Sequence, residues 1–351
     1  MTAMKTWRDT NSAPDITRWQ YDEATGLLTN KLYADNNGTA YTYDEDGRLV
    51  SRTWARGIST AYTYDLAGNL TNINYSDGIT LSVSFTYGRT GNQKSITDAL
   101  GTRTFSYNSA MQMIADSNAY GVVQYTMDGY GRPASVAYGD DYAVAYEYDE
   151  FGRFIAVTST LAGTFAYSYV SNAELIDSIS NGDFAVTYTY EANRNLKTAV
   201  QNNHGATLIS EYAYTYDPVG RRTLVENRGD AFLRVTNAFN LYDYNTRSEL
   251  IDAARYLGDN PSDTSQPVTN ETFSYAYDTI GNRLQASLGT TQTDYIANEL
   301  NQYTNILRMG APSWSPTYDP DGNLTNDSKN IYTWNAENRL VKAEPILLTN
   351  G

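Results

Sequence analysis

The chain has 351 residues and a formal net charge of −15, from 25 Lys plus Arg against 40 Asp plus Glu, with no Cys and one His. That balance disfavours a general nucleic-acid binder, which needs a basic face to displace counterions. The missing thiols exclude disulfides and cysteine-ligated metal, and no apolar run approaches the ~20 residues of a membrane-spanning helix.

Residues 1–20 read as an N-terminal flanking strand or tail, with no charged-then-apolar signal and no transit peptide at the start. From Tyr21 onward one phrase, aromatic-x-Tyr-Asp-x-x-Gly-Arg/Asn-Leu, recurs about every 21 residues, a period that marks a repeat architecture. Clean copies are Tyr41-Thr-Tyr-Asp-Glu-Asp-Gly-Arg-Leu49, Tyr62-Thr-Tyr-Asp-Leu-Ala-Gly-Asn-Leu70, Tyr146-Glu-Tyr-Asp-Glu-Phe-Gly-Arg-Phe154, Tyr214-Thr-Tyr-Asp-Pro-Val-Gly-Arg-Arg222 and Tyr275-Ala-Tyr-Asp-Thr-Ile-Gly-Asn-Arg283. Most of the 32 Tyr lie in or beside such phrases.

One unit shows the logic. Tyr41 and Tyr43 alternate about Thr42, the period of a strand. Asp44 suits the first position of a type I turn, where its carboxylate accepts backbone N–H groups, and Gly47 suits the position that takes positive φ. Such a turn closed by a left-handed Gly is a common hairpin connection with a bulge. Arg48 to Trp54 reads as the return strand, Ala55-Arg56-Gly57 as a second turn, and Ile58 to Tyr64 as the next outgoing strand. The repeated Asp is therefore expected to be a turn acceptor, and the repeated Arg or Asn its partner or cap.

Followed along the chain, the turn-leading residues are Tyr21, Tyr43, Tyr64, Tyr87, Tyr107, Met127, Tyr148, Tyr169, Tyr190, Tyr216, Tyr244, Tyr277, Tyr295, Tyr318 and Trp334. The Gly is replaced by Met111, Ala173, Arg194, Ser248, Glu299 and Asn338. Asn tolerates positive φ, whereas Met111 and Glu299 do not, so those two turns are expected to differ in form. The first unit carries an extra residue, with its Gly at Gly26. Spacing loosens over residues 226–272, where Gly258 to Asn270 is a polar, proline-containing insertion expected to protrude as a loop. The repeat region spans 21–343, and 344–351 is a C-terminal tail.

The fold expected is all-β, a long antiparallel meander of hairpin repeats. About thirty strands at ~4.8 Å would make a flat sheet roughly 140 Å wide, and open sheets rarely exceed about ten strands without curling or closing. A curved wall, spiral shell or wide barrel follows. One face should be rich in Tyr and the other in Thr, Ala, Glu and Ser, with Tyr beside Tyr on adjacent strands. Unclosed sheet edges would favour self-association.

The phrase Tyr-Asp-x-x-Gly-Arg/Asn-Leu resembles the tyrosine-aspartate repeat of rearrangement-hotspot (RHS) proteins, toxin-complex C components and teneurins. The resemblance covers about residues 20–343 and includes Tyr318-Asp-Pro-Asp-Gly-Asn-Leu324 and Tyr332-Thr-Trp-Asn-Ala-Glu-Asn-Arg-Leu340. It implies a hollow shell of spirally wound antiparallel sheet, enclosing a latent toxin in some members and serving adhesion in others. A section of such a shell in an exported, extracellular or cell-surface bacterial protein is the leading reading, with an enclosed polypeptide cargo as partner. Asp319-Pro-Asp-Gly322 matches the Asp-Pro-x-Gly signature of the family's plug segment, but it lies inside an ordinary repeat, so the family's self-cleavage is not carried over.

Chemistry has few candidates. His204 lies in Gln201-Asn-Asn-His-Gly-Ala206, a turn composition, although a single imidazole also suits general acid/base work. Phenols can act as base or acid in β-elimination of uronic-acid polysaccharides, with Arg or His neutralising the carboxylate. His204, Tyr190, Tyr214 and Arg222 are the residues that would carry such a lyase, and aromatic faces also suit a carbohydrate-binding module. Asp44-x-Asp46-Gly47 and Asp319-Pro-Asp321-Gly322 resemble the start of calcium loops but do not complete the twelve-residue pattern. Phosphate-cradling and dinucleotide fingerprints are absent, and no cofactor, metal, nucleic acid or membrane insertion is expected.

Overall fold

The structure is a computed structural model and describes residues 2–9, 11, 13–232 and 237–346. The end of the tail (347–351) and positions 233–236 of the irregular section lie outside the described residues. Strand follows strand from Ala3–Thr6 to Leu340–Pro345, and the one helical element among the described residues is a 3₁₀ turn, Asp230–Phe232. Twenty-seven strands form one sheet and the last four, between 317 and 345, form another. The pairings are antiparallel and join sequence neighbours, as in Gly38–Tyr43 with Leu49–Thr53 and Ser59–Tyr64 with Leu70–Tyr75. The chain is thus the all-β hairpin meander that its period-two patterning and regularly spaced turn residues dictate.

The turns are built as turn chemistry requires. Gly47 N–H donates to Asp44 O at 3.0 Å, and Asp44 N–H donates to Arg48 O at 3.0 Å. Gly47 takes φ 78°, a conformation open to Gly without a Cβ penalty. The register slips by one residue between Thr42 and Tyr43, and the same slip recurs at Thr63/Tyr64, Glu147/Tyr148 and Thr215/Tyr216. These units each carry a bulge beside the turn-leading tyrosine.

Two turns differ from expectation. Met111 keeps the common form: it takes φ 63°, and its N–H donates to Asn108 O at 3.0 Å. A left-handed non-glycine costs about 1 kcal/mol. The Asn108 carboxamide offsets this by accepting from Ala110 N–H at 2.9 Å and Gln112 N–H at 3.0 Å. Near Glu299 the turn lies two residues later than the aromatic spacing predicts. Ala297, not Tyr295, pairs across the bulge with Tyr303, and Asn301 takes the positive φ of 62°. Where Ala173 and Arg194 were aligned with the Gly, longer turns place Asn172 and Asn195 in the left-handed conformation, at φ 59° and 56°.

The faces segregate along each strand. Thr42 and Ser51 hydroxyls meet across strands at 2.6 Å, as do Thr86 with Ser95, and Thr126 with Ser135. The opposite face carries the tyrosines; Tyr138 stands opposite Tyr142, but the tyrosines of the repeat phrases do not stand opposite one another. Tyr62 faces Ile73, Tyr146 faces Val157, Tyr188 faces Val200 and Tyr214 faces Val225. The cause is that tyrosines sit on outgoing strands, whose neighbours are return strands rich in β-branched residues.

Contacts divide the chain into two compact units: 1–105 with 276–286 and 291–351, and 106–275 with 287–290. In the first, the buried side chains include Thr39, Thr60, Ile306 and Ala336. In the second, Phe239 is the largest fully buried side chain, flanked by Ala238 and stacked on Tyr256 at 5.4 Å.

Candidate functional site

A bulge leaves one carbonyl outside the ladder, and here the next repeat fills that vacancy. Tyr43 faces Leu49 across its bulge, and Leu49 O accepts the Tyr64 hydroxyl of the following unit at 2.8 Å. The same link joins Tyr43 to Leu28 O (2.9 Å), Tyr87 to Leu70 O (2.9 Å), Tyr148 to Pro133 O (2.8 Å), Tyr169 to Phe154 O (2.7 Å) and Tyr190 to Ile176 O (2.7 Å). Where Trp334 replaces Tyr, its indole N–H donates to Leu324 O at 2.7 Å. Burial raises the phenol pKa of Tyr43, Tyr87 and Tyr190, which keeps them protonated donors. This seam gives the recurring hydroxyl or indole a role that phenylalanine could not fill, although Met127 and Ala297 lead turns without one.

The Asp of each phrase organises its own turn and tethers the residue that reaches the next. Asp149 Oδ1 accepts Phe151 N–H and Arg153 N–H, each at 2.9 Å, while Oδ2 accepts Arg153 Nε at 2.7 Å. Partial burial raises this carboxyl's pKa, but the Arg153 backbone and side-chain bonds outweigh that and hold it below the usual range. Held flat, Arg153 lies 4.4 Å over the ring of Tyr169, the seam tyrosine of the next unit. Arg132 over Tyr148 (4.2 Å) and Arg48 over Tyr64 (5.1 Å) repeat the arrangement. With Asn at that position the carboxylate alone is served, as Asn69 serves Asp65 at 3.0 Å. Tyr64→Phe, which retains the ring under Arg48 and removes only the hydroxyl, is expected to cost about 1 kcal/mol. Urea denaturation should show the midpoint falling at constant slope, and an unchanged midpoint would contradict the seam.

In the first unit the return turn after Leu49–Thr53 grips the C-terminal repeats. Trp54 Nε1–H donates to Ala336 O at 2.8 Å, and Arg52 Nη2 pairs with Glu337 Oε1 at 2.9 Å. Arg56 N–H donates to Asp321 Oδ1 at 3.0 Å, and Arg56 Nε lies 2.6 Å from Asp321 Oδ2, off the line of a good hydrogen bond. Arg56 also donates to the carbonyls of Trp334 and Asn335 and lies 3.8 Å from Asp319. Thr80 Oγ1 accepts Ala336 N–H at 3.0 Å. The Asp321 side chain is 1 % exposed. Burial raises its pKa, against the pull of Arg56. Sequence reasoning placed Trp54 and Arg56 in an ordinary strand-and-turn, and no local signal marks their distant partners.

The acidic turns are committed to structure. Asp319 Oδ1 accepts Asp321 N–H and Asn323 N–H, while Asn323 Nδ2 donates to Oδ2. Asp44 is held likewise by Asp46 and Arg48 amides and by the Arg48 side chain. Among the described residues no group of three or more His, Asp or Glu could hold a metal ion.

Of the four residues singled out for elimination chemistry, the structure brings two together. The Arg222 guanidinium lies 3.9 Å over the Tyr214 ring. Burial raises the Tyr214 pKa, with Arg222 pulling the other way, a net shift away from the phenolate that a base requires. Tyr190 is bound to Ile176 O. His204 pairs with Phe184, its ring tilted against the phenyl with centroids 4.6 Å apart, whereas Tyr190 pairs with Lys197 at the other end of the same ladder. Six residues of strand separate the two positions, about 20 Å.

Fold and seam together define a class: a hairpin-repeat β protein of the tyrosine-aspartate kind, stapled unit to unit. The RHS Repeat family profile matches residues 43–80. No curated protein matches it in sequence. Among solved structures it is similar to the TcdB2-TccC3-Cdc42 crystal structure, at 15 % identity and a TM-score of 0.67 over 96 % of this chain and 21 % of that one. TcdB2-TccC3 without its hypervariable C-terminal region matches at 15 % identity and 0.68, over 97 % and 21 %. A Photorhabdus luminescens Tc holotoxin pore matches at 14 % identity and 0.63, over 96 % and 21 %. At these identities the likeness is one of fold, and the chain spans about a fifth of the solved chains it matches.

Proposed function

We propose that this chain is a wall section of an RHS-repeat shell in an exported bacterial protein, and that its work is mechanical, the enclosure or scaffolding of a polypeptide. The observation that carries this reading is the seam. Repeats led by Tyr or Trp, as at Tyr64, Tyr148 and Trp334, close a free carbonyl of the unit before them, so a wall grows unit by unit without a new core, as in other quasi-one-dimensional repeat proteins. Seam phenols such as Tyr64 hold unit to unit, and turn carboxylates such as Asp149 hold their own turns. The similarity to toxin-complex structures supports the same role, as does the enclosure that the family resemblance implies.

Protease protection tests the proposal. An unfolded, protease-sensitive segment is fused to the C-terminus, and its cleavage is compared with that of the same segment on an unrelated β domain. Enclosure predicts cleavage at least about tenfold slower on this chain. Equal rates would remove enclosure and leave scaffolding alone.

A further inference from the structure

One cluster on the tyrosine face of the second unit consists almost wholly of hydrogen-bond donors. It lies on four consecutive strands, Thr207–Tyr216, Arg222–Arg228, Ala238–Tyr244 and Leu250–Leu257. The register places its members. Tyr214 faces Val225, Val225 faces Asn240, and Asn240 faces Arg255. Tyr242 is two residues on from Asn240 and so shares its face. Across the bulge Arg222 faces Tyr216, which returns it to the same face. The acids of these strands, Glu211, Glu226, Asp243 and Asp252, alternate onto the other one.

These donors are poorly matched within the chain. Arg222 lies over the Tyr214 ring at 3.9 Å and makes no ion pair among the described residues. Stacking engages the face of a guanidinium and leaves the N–H groups in its plane unused. Arg255 Nη1 stands 3.5 Å from Glu271 Oε2, longer than a good charge-assisted hydrogen bond, and its buried Nε has no partner. The seam tyrosines Tyr216 and Tyr244 donate to Lys197 O and Arg222 O. The hydroxyls of Tyr214 and Tyr242, by contrast, meet no acceptor among the described residues. Burial raises the pKa of both phenols, with Arg222 pulling each the other way and Arg255 also pulling on Tyr242. Arg222 is thus beside both, and both stay protonated donors.

We propose that Arg222, Arg255, Tyr214 and Tyr242 form a binding site for an oxyanion, a carboxylate or a phosphate group. Guanidinium forks match the paired oxygens of either group, and phenol O–H groups add single bonds. Partly buried donors are costly to leave unmade, and an oxyanion is the ligand that offers acceptors alone. Two guanidiniums exclude a cation, and a neutral sugar needs acceptors as well as donors from its site. Glu271 is the one competing acceptor; 45 % exposed and at 3.5 Å, it holds Arg255 loosely. The net charge of −15 opposes an anion's approach, so the affinity expected is a weak one, in the millimolar range. Protonated phenols make this a place for binding and not for proton abstraction. The site goes beyond the wall-section reading, since it holds whatever the wall encloses.

Arginine Nε–H resonances of the full chain, read by proton–nitrogen NMR while inorganic phosphate or acetate is added at constant ionic strength, are the test. Arg222→Lys and Arg255→Lys assign the two signals. Saturable shifts of both are expected with at least one anion. Phosphate alone would identify a tetrahedral oxyanion, acetate alone a carboxylate, and both together a site for either. Followed on the Arg255 signal, Arg222→Gln and Tyr242→Phe should each weaken binding by about tenfold or more, the usual loss for a hydrogen bond to a charged group. Tyr242→Phe keeps the ring and so spares the packing. Arg228→Gln, on the opposite face and paired there with Glu226, should leave binding unchanged. Shifts no larger than chloride gives at equal concentration would overturn the proposal, as would saturation indifferent to both Arg222→Gln and Tyr242→Phe.

Discussion

Arg56→Ala is expected to destabilise the first unit by about 3 kcal/mol, because removing one partner of a buried pair strands the other. The stranded group is the Asp321 carboxyl, 1 % exposed and 2.6 Å from the lost Nε. The variant also removes the donors to the Trp334 and Asn335 carbonyls. Those carbonyls belong to the final hairpin, so the C-terminal sheet should loosen before the strands that precede residue 105. The readout is favourable: the five Trp, at 7, 19, 54, 314 and 334, all belong to the first unit. Trp54 and Trp334 flank the clasp itself. Tryptophan emission during urea unfolding should therefore show the loss directly. Arg56→Ala/Asp321→Ala is expected to be more stable than Arg56→Ala alone, since it removes the orphaned charge with its partner. A loss below about 1 kcal/mol in the single variant would show that the clasp is solvated and incidental.

Phe239→Ala is expected to cost about 3–5 kcal/mol in the second unit, the usual range for emptying a buried phenylalanine site. Phe239 is 1 % exposed, and its ring lies 5.4 Å from Tyr256 at an interplanar angle of 23°. Its cross-strand partners are Glu226 and Tyr256. Little else in this unit is as deeply buried, because most strand residues keep one face in water. A fold with so sparse a core concentrates its apolar energy at few positions, so this site should weigh more than any seam tyrosine. Far-UV circular dichroism against urea measures the loss. A cost no larger than that of Tyr64→Phe would mean that the unit is held by ladder and seam, with no core worth the name.

The two variants probe different kinds of information. The outgoing strands, the Asp-led turns and the left-handed Gly47 could be read from the chain because each depends on residues within about five positions of one another. Asp44, Asp149 and Asp217 bind the amides that turn chemistry assigns to them. The phase error near Glu299 has a local cause too. Two aromatic residues, Tyr295 and Tyr303, flank a turn whose leading position is Ala297, so the aromatic cue pointed to the wrong residue. Intrinsic φ preference disfavours Met111 in its turn, and the Asn108 carboxamide offsets that preference.

Periodicity and turn composition by themselves determined that this is an all-β meander with one repeated hairpin, since both signals are short-range and many times restated. Only the tertiary structure decided where the seam phenols go: they cross to a carbonyl in the preceding unit, 15 residues away for Tyr64 and Leu49. It also decided that Arg56 meets Asp321 across 265 positions and that Arg52 meets Glu337 across 285, and that His204 lies apart from Tyr190. The reason is physical. A turn is closed by groups that are neighbours in the chain whatever the rest does, whereas a distant ion pair exists only once the path of every intervening strand has been laid down.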